Sequence, residues 1–181
     1  MATGRADPLR RERILAATLD HIVEEGAAGV SHRKIAARAG VPLGLMPYHF
    51  SGMDALLRDA FTGFAGRIVG VFEEHLGGAR TPAHACEAVA ELIHRLAEGP
   101  RRELVLTQEL YTLAARHPEY RDLTRIWMRH SRHLLEKHFD ADTACQLDAL
   151  IEGLVLHQAL DNDTPHSRDR TLQAVIRLTS T

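Results

Sequence analysis

The chain has 181 residues, of which 45% are hydrophobic and 25% are charged, a composition typical of globular proteins that argues against a disordered or fibrous chain. Its net charge of −2 is unevenly spread, since residues 1–51 carry seven Lys/Arg and five Asp/Glu, whereas residues 52–181 carry fifteen and nineteen. The basic first part weakly indicates a polyanionic partner, and the longest stretch without a charged side chain, Ala39 to Met53, is too short to span a membrane.

Apolar residues recur at intervals of three and four, and Gly or Pro separates the runs, so the sequence predicts an all-α protein. The second and third of the predicted helices are short. Ser31 is suited to cap the second helix, Gly40 to form the turn after it, and Pro42 to open the third. The predicted spans are near Pro8 to Gly26, from Ser31 to Ala39, and from Pro42 to about His49.

A long fourth helix is predicted after Gly52, because one face stays apolar up to Gly77, over roughly 37 Å of helix. Further helices are predicted at about 82–98, 101–116, 118–139, 143–161 and 166–178. The pattern therefore divides the chain into a three-helix head, residues 1–51, and a C-terminal helical domain, residues 52–181, joined by the fourth helix.

Residues 31–50 carry the most informative motif and read SHRKIAARAGVPLGLMPYHF. Two short helices joined by Ala39-Gly40-Val41 are typical of a helix-turn-helix, whose second helix lies in the major groove of DNA. Ile35 and Ala36 would let the two helices cross closely. The pattern alone leaves an ordinary helical hairpin open, but the preceding helix adds three arginines, at positions 10, 11 and 13.

With these residues, the N-terminal third resembles the TetR family of transcriptional regulators. The family pattern is roughly R-x-x-I-L-x-A-A…G…S-x-R-x-I-A-x-x-A-G-V-x-x-G-x-x-Y-x-H-F. The residues that match it are Arg11 or Arg13, Ile14, Leu15, Ala16, Ala17, Gly26, Ser31, Arg33, Ile35, Ala36, Ala39, Gly40, Val41, Gly44, His49 and Phe50. The resemblance implies a homodimeric repressor that binds double-stranded operator DNA and is released by a small effector.

The resemblance also implies roles for single residues in DNA binding. Arg33 would reach a base edge, where a guanidinium pairs best with guanine. The groove-facing residues would be Leu43, Gly44 and Leu45, the phosphate contacts would be Ser31, Tyr48 and His49, and Phe50 would pack the head onto the fourth helix.

Two positions depart from the family pattern. Pro47 replaces the usual Tyr and should strain the last turn of the third helix, since it lacks an N–H. Met53 replaces the usual Lys, which removes one phosphate contact. The recognition helix itself has no amide or charged side chain, so base reading would depend on Arg33, thymine methyl groups and DNA shape.

The predicted fifth to seventh helices mix aromatic and apolar residues with a few polar ones, as small-molecule sites require. The resemblance places an effector pocket among the fourth to eighth helices, although plain core packing would give the same spacing. A largely apolar effector is predicted to contact Trp127, with hydrogen bonds from neighbouring polar groups. The candidate pocket residues are His94, Gln108, Tyr111, Trp127 and His130.

The predicted eighth helix is apolar on two sides, so it needs two packing partners. One side can pack in its own subunit and the other against a symmetry mate, although a monomer that buries both is the alternative. A second stripe on this helix contains Ala149, Gly153, Leu156 and Leu160. The predicted dimer contacts are Leu147, Leu150, Ile151, Leu154 and Val155, with Leu172, Val175 and Ile176 of the ninth helix.

The sequence offers no complete metal or catalytic set. Among twelve histidines, His130 and His133 have helical spacing, but no Cys or carboxylate completes a site around them. No nucleophile-and-base arrangement is recognisable either, so we predict no enzyme activity, cofactor or bound metal. Two alternatives remain open: a DNA-binding architectural or cell-division factor without an effector, and a metal-dependent all-α sensor or enzyme.

Cellular location follows from the ends of the chain and its cysteines. Residues 1–13 are Arg-rich and contain no apolar run, so no secretory signal is predicted. Cys86 and Cys145 lie far apart and suggest no disulfide framework. We therefore expect a reduced, cytoplasmic protein without membrane association.

Overall fold

The computed structural model describes residues 9–161 and 167–180, and within these ranges it contains nine α-helices and no strand, which confirms the predicted all-α class. Short 3-10 turns lie at Ala27–Gly29, Leu43–Leu45 and Pro118–Tyr120. Pro8 and residues 162–166, near which helices were predicted to start and end, lie outside the described residues. The helices are α1 (Arg10–Glu25), α2 (His32–Ala39), α3 (Met46–His49), α4 (Met53–Leu76), α5 (Pro82–Ala97), α6 (Arg101–Arg116), α7 (Arg121–Leu135), α8 (Ala141–Leu160) and α9 (Arg168–Thr179).

The ends of α1 and α2 follow the predicted capping residues. Gly26 ends α1 with a φ of +78°, and Gly40 ends α2 in the left-handed region with a φ of +63°, where other residues are strained. Ser31 caps the start of α2, since its hydroxyl accepts from the Lys34 N–H at 3.3 Å. The boundaries of the first two helices are therefore encoded locally.

The predicted third helix needs a correction. Residues 42–49 do not form one helix: a 3-10 turn, Leu43–Leu45, precedes the four-residue α3. Pro47 falls in the first turn of α3, where a missing N–H removes no helical hydrogen bond. The predicted strain in the last turn is therefore wrong.

The predicted seventh helix, 118–139, is also divided. A 3-10 turn at Pro118–Tyr120 precedes α7, which ends at Leu135. The next helix, α8, begins at a capping residue, since the Asp140 carboxylate accepts from the N–H groups of Asp142 and Thr143 at 3.1 and 3.0 Å. His138 therefore lies between the helices, where its Nε2 is 3.1 Å from the Leu76 carbonyl oxygen.

The chain packs as two compact units. The first contains the described residues up to Phe64 together with Val105–Leu123, and the second contains Ala65–Leu104 with the described residues from Thr124 onward. Both α4 and α6 thus contribute residues to each unit. The predicted domains, 1–51 and 52–181, divide the chain by function and stay a prediction.

The helix α4 has 24 residues, about 36 Å of helix. One face is buried, at Leu56, Leu57, Ala60, Phe61, Phe64, Ile68, Phe72 and Leu76. The exposed side carries Gly63, Gly66 and Gly70. Because each glycine disfavours helix by about 0.8–1 kcal/mol relative to alanine, burial rather than intrinsic propensity stabilises the middle of α4. None of the helices in the described ranges is sufficiently long and apolar to traverse a bilayer.

In the second unit, α5 packs against α8 and α9. Two buried polar pairs connect helices of this unit. The His94 Nε2 lies 3.1 Å from the Thr171 hydroxyl, and the Ser131 hydroxyl donates to Asp148 Oδ1 at 2.6 Å. These pairs satisfy polar groups that would otherwise be costly to bury.

Burial raises the pKa of Asp148, although the hydrogen bond from Ser131 and the charge of Arg132 oppose the shift. The folded protein therefore binds this proton more readily than the unfolded chain, where the group titrates near 3.8. Above the folded-state pKa, the ionised carboxylate lowers the free energy of unfolding. This loss of stability disappears as the pH falls from the folded-state pKa of Asp148 to its lower unfolded-state pKa.

We expect Asp148→Asn to raise the Tm at pH 7, because the amide oxygen still accepts from Ser131 and no charge is buried. A gain of about 1 kcal/mol would raise the Tm by about 2–4 °C in a chain of this size. The gain should narrow toward acidic pH. Thermal melts at several pH values check this, and a lower Tm at pH 7 would mean that attraction to Arg132 outweighs desolvation.

Candidate nucleic-acid interface

The head of the first unit is built on one apolar core. Ile14 of α1, Ile35 of α2, Met46 of α3 and Leu56 of α4 are fully buried, and Phe50 is 3% exposed. Met53, the departure at the start of α4, packs against this core. The core holds α1, α2 and α3 in fixed positions, so the residues on their outer side form a defined surface.

Two of the arginines on α1 stabilise the head itself. Arg13 donates through Nη2 to the carbonyl oxygens of Ala39 and Gly40, at 2.8 and 3.4 Å, and so braces the turn after α2. Arg11 pairs with Asp59 at 2.6 Å and lies over the Phe50 ring, 5.5 Å from its centroid. Sequence reasoning missed these roles, because the partners lie 26 or more residues away along the chain.

Two cations of α2 are neutralised by acidic residues of α1. The Lys34 Nζ lies 2.8 Å from Glu25 Oε2, and Arg38 forms a two-pronged pair with Glu24. These hydrogen bonds lower the pKa of both glutamates. Arg33, in contrast, is exposed and makes no hydrogen bond or ion pair with any residue that the structure describes. Its guanidinium is therefore available to an external partner.

The segment after the turn exposes apolar and aromatic groups. Leu43 is 50% exposed and Tyr48 is 85% exposed, although both are large and hydrophobic. Gly44 is exposed and Leu45 is half-buried. Two large exposed side chains in one short segment are what a binding surface would present.

Two histidines of the head have one buried ring nitrogen without a partner among the described residues. These are Nε2 of His49, at the end of α3, and Nε2 of His32, the first residue of α2. The other ring nitrogen, Nδ1, remains to bond a group outside the protein. His32 was not among the predicted contacts, and its place beside the capping Ser31 is the signal that could have found it.

We expect Gly44→Ala to weaken DNA binding without destabilising the protein. The Gly44 φ is not positive, and an added Cβ would meet no atom within 4 Å. A glycine in open space at this position is explained if DNA approaches its backbone closely. Thermal melts should show an unchanged or slightly higher Tm, and a DNA titration should show an affinity loss of about tenfold, equivalent to about 1.4 kcal/mol. Unchanged affinity would remove Gly44 from the interface.

The five predicted effector residues lie in different environments, and their role stays a prediction. In the second unit, His94 and Trp127 are buried and His130 is exposed. In the first unit, Gln108 is exposed and Tyr111 is half-buried on α6. Trp127 and Ser131, which bonds the buried Asp148, lie one turn apart on α7.

The predicted dimer contacts need a correction. Leu147, Ile151 and Val175 are at most 1% exposed within a single protomer, so they cannot meet a partner. The remaining five are half-buried or, for Ile176, 36% exposed. Sequence periodicity identified two apolar sides of α8 and left open which of them meets the partner. The outward side, which we call the exposed stripe of α8, consists of Ala149, Gly153, Leu156 and Leu160, with Leu160 65% exposed.

Within the described ranges, no group of three or more His, Cys, Asp or Glu side chains is arranged to hold a metal ion. The structure thus gives no geometric support to a metal centre around His130 and His133. The candidate DNA-binding surface of the first unit is formed by α2, the 3-10 turn Leu43–Leu45 and α3.

Two family models match the chain. Residues 14–60 match the model described as bacterial regulatory proteins of the tetR family, and residues 80–181 match the model described as tetracyclin repressor-like, C-terminal domain. The first match contains the helix-turn-helix, and the second spans α5 to α9.

Solved structures and a sequence relative are similar over nearly the whole chain. SCO7518 of Streptomyces coelicolor A3(2) is 65% identical, with a TM-score of 0.92 over 96% of this chain and 100% of that chain. EbrR, a multidrug binding protein solved with imidazole, is 32% identical, with a TM-score of 0.80 over 96% of this chain and 91% of that chain. The HTH-type transcriptional regulator BetI 1 of Chromohalobacter salexigens is 26% identical over 162 residues, 84% of this chain and 80% of the relative.

Proposed function

From the premise that this chain belongs to the TetR family of DNA-binding transcriptional regulators, we propose that it is a cytoplasmic repressor, binds its operator as a homodimer and is released by a small aromatic cation. Repression blocks transcription while the operator is occupied. Release requires that the effector favour a state with lower DNA affinity.

The unpaired Arg33 is the observation that carries operator recognition. It lies near the start of α2, while Lys34 and Arg38 on the same helix are engaged by glutamates. An exposed guanidinium can read guanine in the major groove, and exposed apolar groups can contact thymine methyl groups there. Tyr48 and the Nδ1 atoms of His32 and His49 supply donors for the flanking phosphates.

The exposed stripe of α8 supports a homodimer. A small residue at Gly153 lets two helices approach closely, and large apolar groups at Leu156 and Leu160 gain from burial. Ile176 of α9 extends this apolar surface if the two helices pack as a pair against their symmetry mates. A twofold dimer would carry two heads, which matches the two half-sites that helix-turn-helix dimers bind.

An aromatic cation is the effector class that the chemistry around Trp127 suits. Trp127 is a buried aromatic ring on α7. Asp148 is a buried carboxylate that accepts from Ser131, one turn after Trp127 on the same helix. EbrR is solved with ethidium, proflavin and malachite green, which are flat or propeller-shaped aromatic cations. The proposed effector is therefore more specific than the sequence prediction: a largely apolar molecule that is also an aromatic cation.

Within the first unit, α6 contacts the head, so its position bears on DNA binding. Glu109 of α6 accepts from the Ala27 N–H at 2.9 Å, just after α1. The Arg58 guanidinium of α4 lies over Tyr120, 5.0 Å from the ring centroid, and burial together with a hydrogen bond to Asp54 raises the pKa of Tyr120. A shift of α6 would therefore disturb the hydrogen bond between Glu109 and Ala27 directly.

Malachite green tests the proposal after an operator has been isolated by selection from random DNA. We expect the dye to quench Trp127, the only tryptophan in the sequence, and to lower operator affinity about 5- to 150-fold. Asp148→Asn should weaken dye binding about tenfold, through loss of a charge contact. The matched control, Asp142→Asn, removes an exposed carboxylate from the same helix and should leave binding unchanged.

Equal dye binding by both variants would place the cation elsewhere. Dye binding without any loss of operator affinity would favour the effector-free alternative, and a protein that selects no DNA would overturn the proposal. No geometry in the described part of the chain favours the metal-dependent alternative.

A further inference from the structure

A cleft of about 350 Å³ opens between the second half of α7 and the start of α8, within the second unit. Four of its seven lining residues are arginine or histidine: Arg129, His130, Arg132 and His133. Glu136 is the one carboxylate that lines it. Trp127 and Asp148 of the proposed effector site do not line this cleft, although His130, a predicted effector residue, does, and Arg132 of the cleft lies beside Asp148.

The positive charge of the cleft is only partly compensated. Arg129 and His130 are exposed and have no hydrogen bond or ion pair with any described residue. Arg132 Nε lies 3.9 Å from Asp148 Oδ2, and His133 Nδ1 lies 3.8 Å from Glu136 Oε2. This cationic surface stands out in a region, residues 52–181, that carries nineteen acidic and fifteen basic residues.

Side chains rather than a helix end supply this charge. The first N–H groups of α8 are already bonded to the Asp140 carboxylate. Positions 129, 132 and 133 lie three and four residues apart, so α7 presents them on one side. Guanidinium groups bond oxyanions with two parallel N–H donors, and an imidazole donates one N–H even when it is neutral.

We propose that this cleft binds a small dianion with carboxylate or phosphate groups, as a second ligand site of the protein. Its volume is near the lower end of about 300–1,000 Å³ for small-molecule sites, which suits one compact ligand. Arg129 and His130 provide the free donors, and Arg132 completes the cationic wall. The bound anion would connect α7 to the start of α8.

Cys145 provides a reporter inside the cleft. Its Sγ is exposed and lies 3.9 Å from Arg132 Nη1, whereas Cys86 is buried. An anionic reagent such as dithiobis(nitrobenzoate) should therefore be concentrated beside Cys145 by the cations, and neutral iodoacetamide should not. The difference in modification rate measures the electrostatic attraction of the cleft.

We expect Arg129→Ala to slow modification of Cys145 by dithiobis(nitrobenzoate) about tenfold at low ionic strength, as loss of electrostatic steering predicts. The rate with iodoacetamide should not change. Arg95→Ala, which removes an exposed arginine of α5 outside the cleft, should behave as the wild type. At equal ionic strength, inorganic phosphate or succinate should slow modification of Cys145 by dithiobis(nitrobenzoate) more than chloride does. The anion that slows it more shows whether the cleft prefers phosphate or carboxylate groups.

Three results would overturn the proposal. In the first, phosphate and succinate protect Cys145 no better than chloride. In the second, Arg129→Ala leaves the rate of modification by the anionic reagent unchanged. In the third, Cys145 reacts with neither reagent in the wild type but reacts with both in a monomeric variant, which would show that a second copy covers the cleft. None of these results bears on operator binding, which is measured separately.

Discussion

Replacing Arg33 by alanine is expected to lower operator affinity by ~1–3 kcal/mol and to relax base preference at one position of each half-site. The side chain is exposed near the start of α2 and has no partner among the described residues, so its removal leaves the fold unchanged. A guanidinium that bonds two acceptors of guanine accounts for a loss of this size. Selection of bound sequences from random DNA, with wild type and variant in parallel, measures both effects.

Arg38→Ala is the matched control on the same helix. Its guanidinium is already bonded to Glu24, so its removal should change base preference little. Stability should fall slightly in this control, since exposed ion pairs contribute about 0–1 kcal/mol. If Arg33→Ala selects the same consensus sequence as the wild type, Arg33 does not recognise a base. Recognition would then depend on the backbone around Gly44.

Gly153→Glu is expected to break the proposed homodimer while each protomer stays folded. An added Cβ at Gly153 meets no atom within 4 Å in the protomer, and the residue is exposed. Helix propensity even favours the substitution by about 0.5–1 kcal/mol. In a dimer through the exposed stripe, however, the new carboxylate would be buried without a partner, at a cost of about 3–5 kcal/mol. That cost raises the dimer Kd more than about hundredfold.

Sedimentation at micromolar concentration measures the loss of the dimer directly. Operator affinity should fall as well, because linking two heads in one dimer strengthens DNA binding by about 10²–10⁴. Gly70→Glu is the control, since it places the same charge on an exposed glycine of α4 where an added Cβ is also unhindered. If Gly153→Glu stays dimeric, the interface lies elsewhere on the protomer.

Local signals predicted the helix ends but not every segment between them. Gly26, Ser31 and Gly40 act through their own backbone or their nearest neighbours, so their roles could be inferred from residue type. The eight residues from Pro42 to His49 were harder, because a 3-10 turn and an α-helix differ by one residue in hydrogen-bond spacing. Eight residues are too few for the pattern of apolar side chains to distinguish the two conformations.

Long-range contacts explain the remaining errors. Both sides of α8 carry leucines, and only packing against α5 and α9 determines that Leu147 and Ile151 face inward. In the same way, Arg13 has the sequence context of a DNA-binding arginine, yet it bonds the turn after α2. Residue type predicted what these side chains can do, and tertiary structure determined which partner each one meets.

The glycines on the exposed side of α4 also affect how this helix can deform. Gly63, Gly66 and Gly70 leave their peptide groups open to water, while Phe61, Phe64 and Ile68 hold the opposite side in the core. Solvent-side hydrogen bonds lengthen when a helix bends, and glycine imposes little steric resistance to that change. The amide hydrogens along this side should therefore exchange with deuterium sooner than those on the buried side.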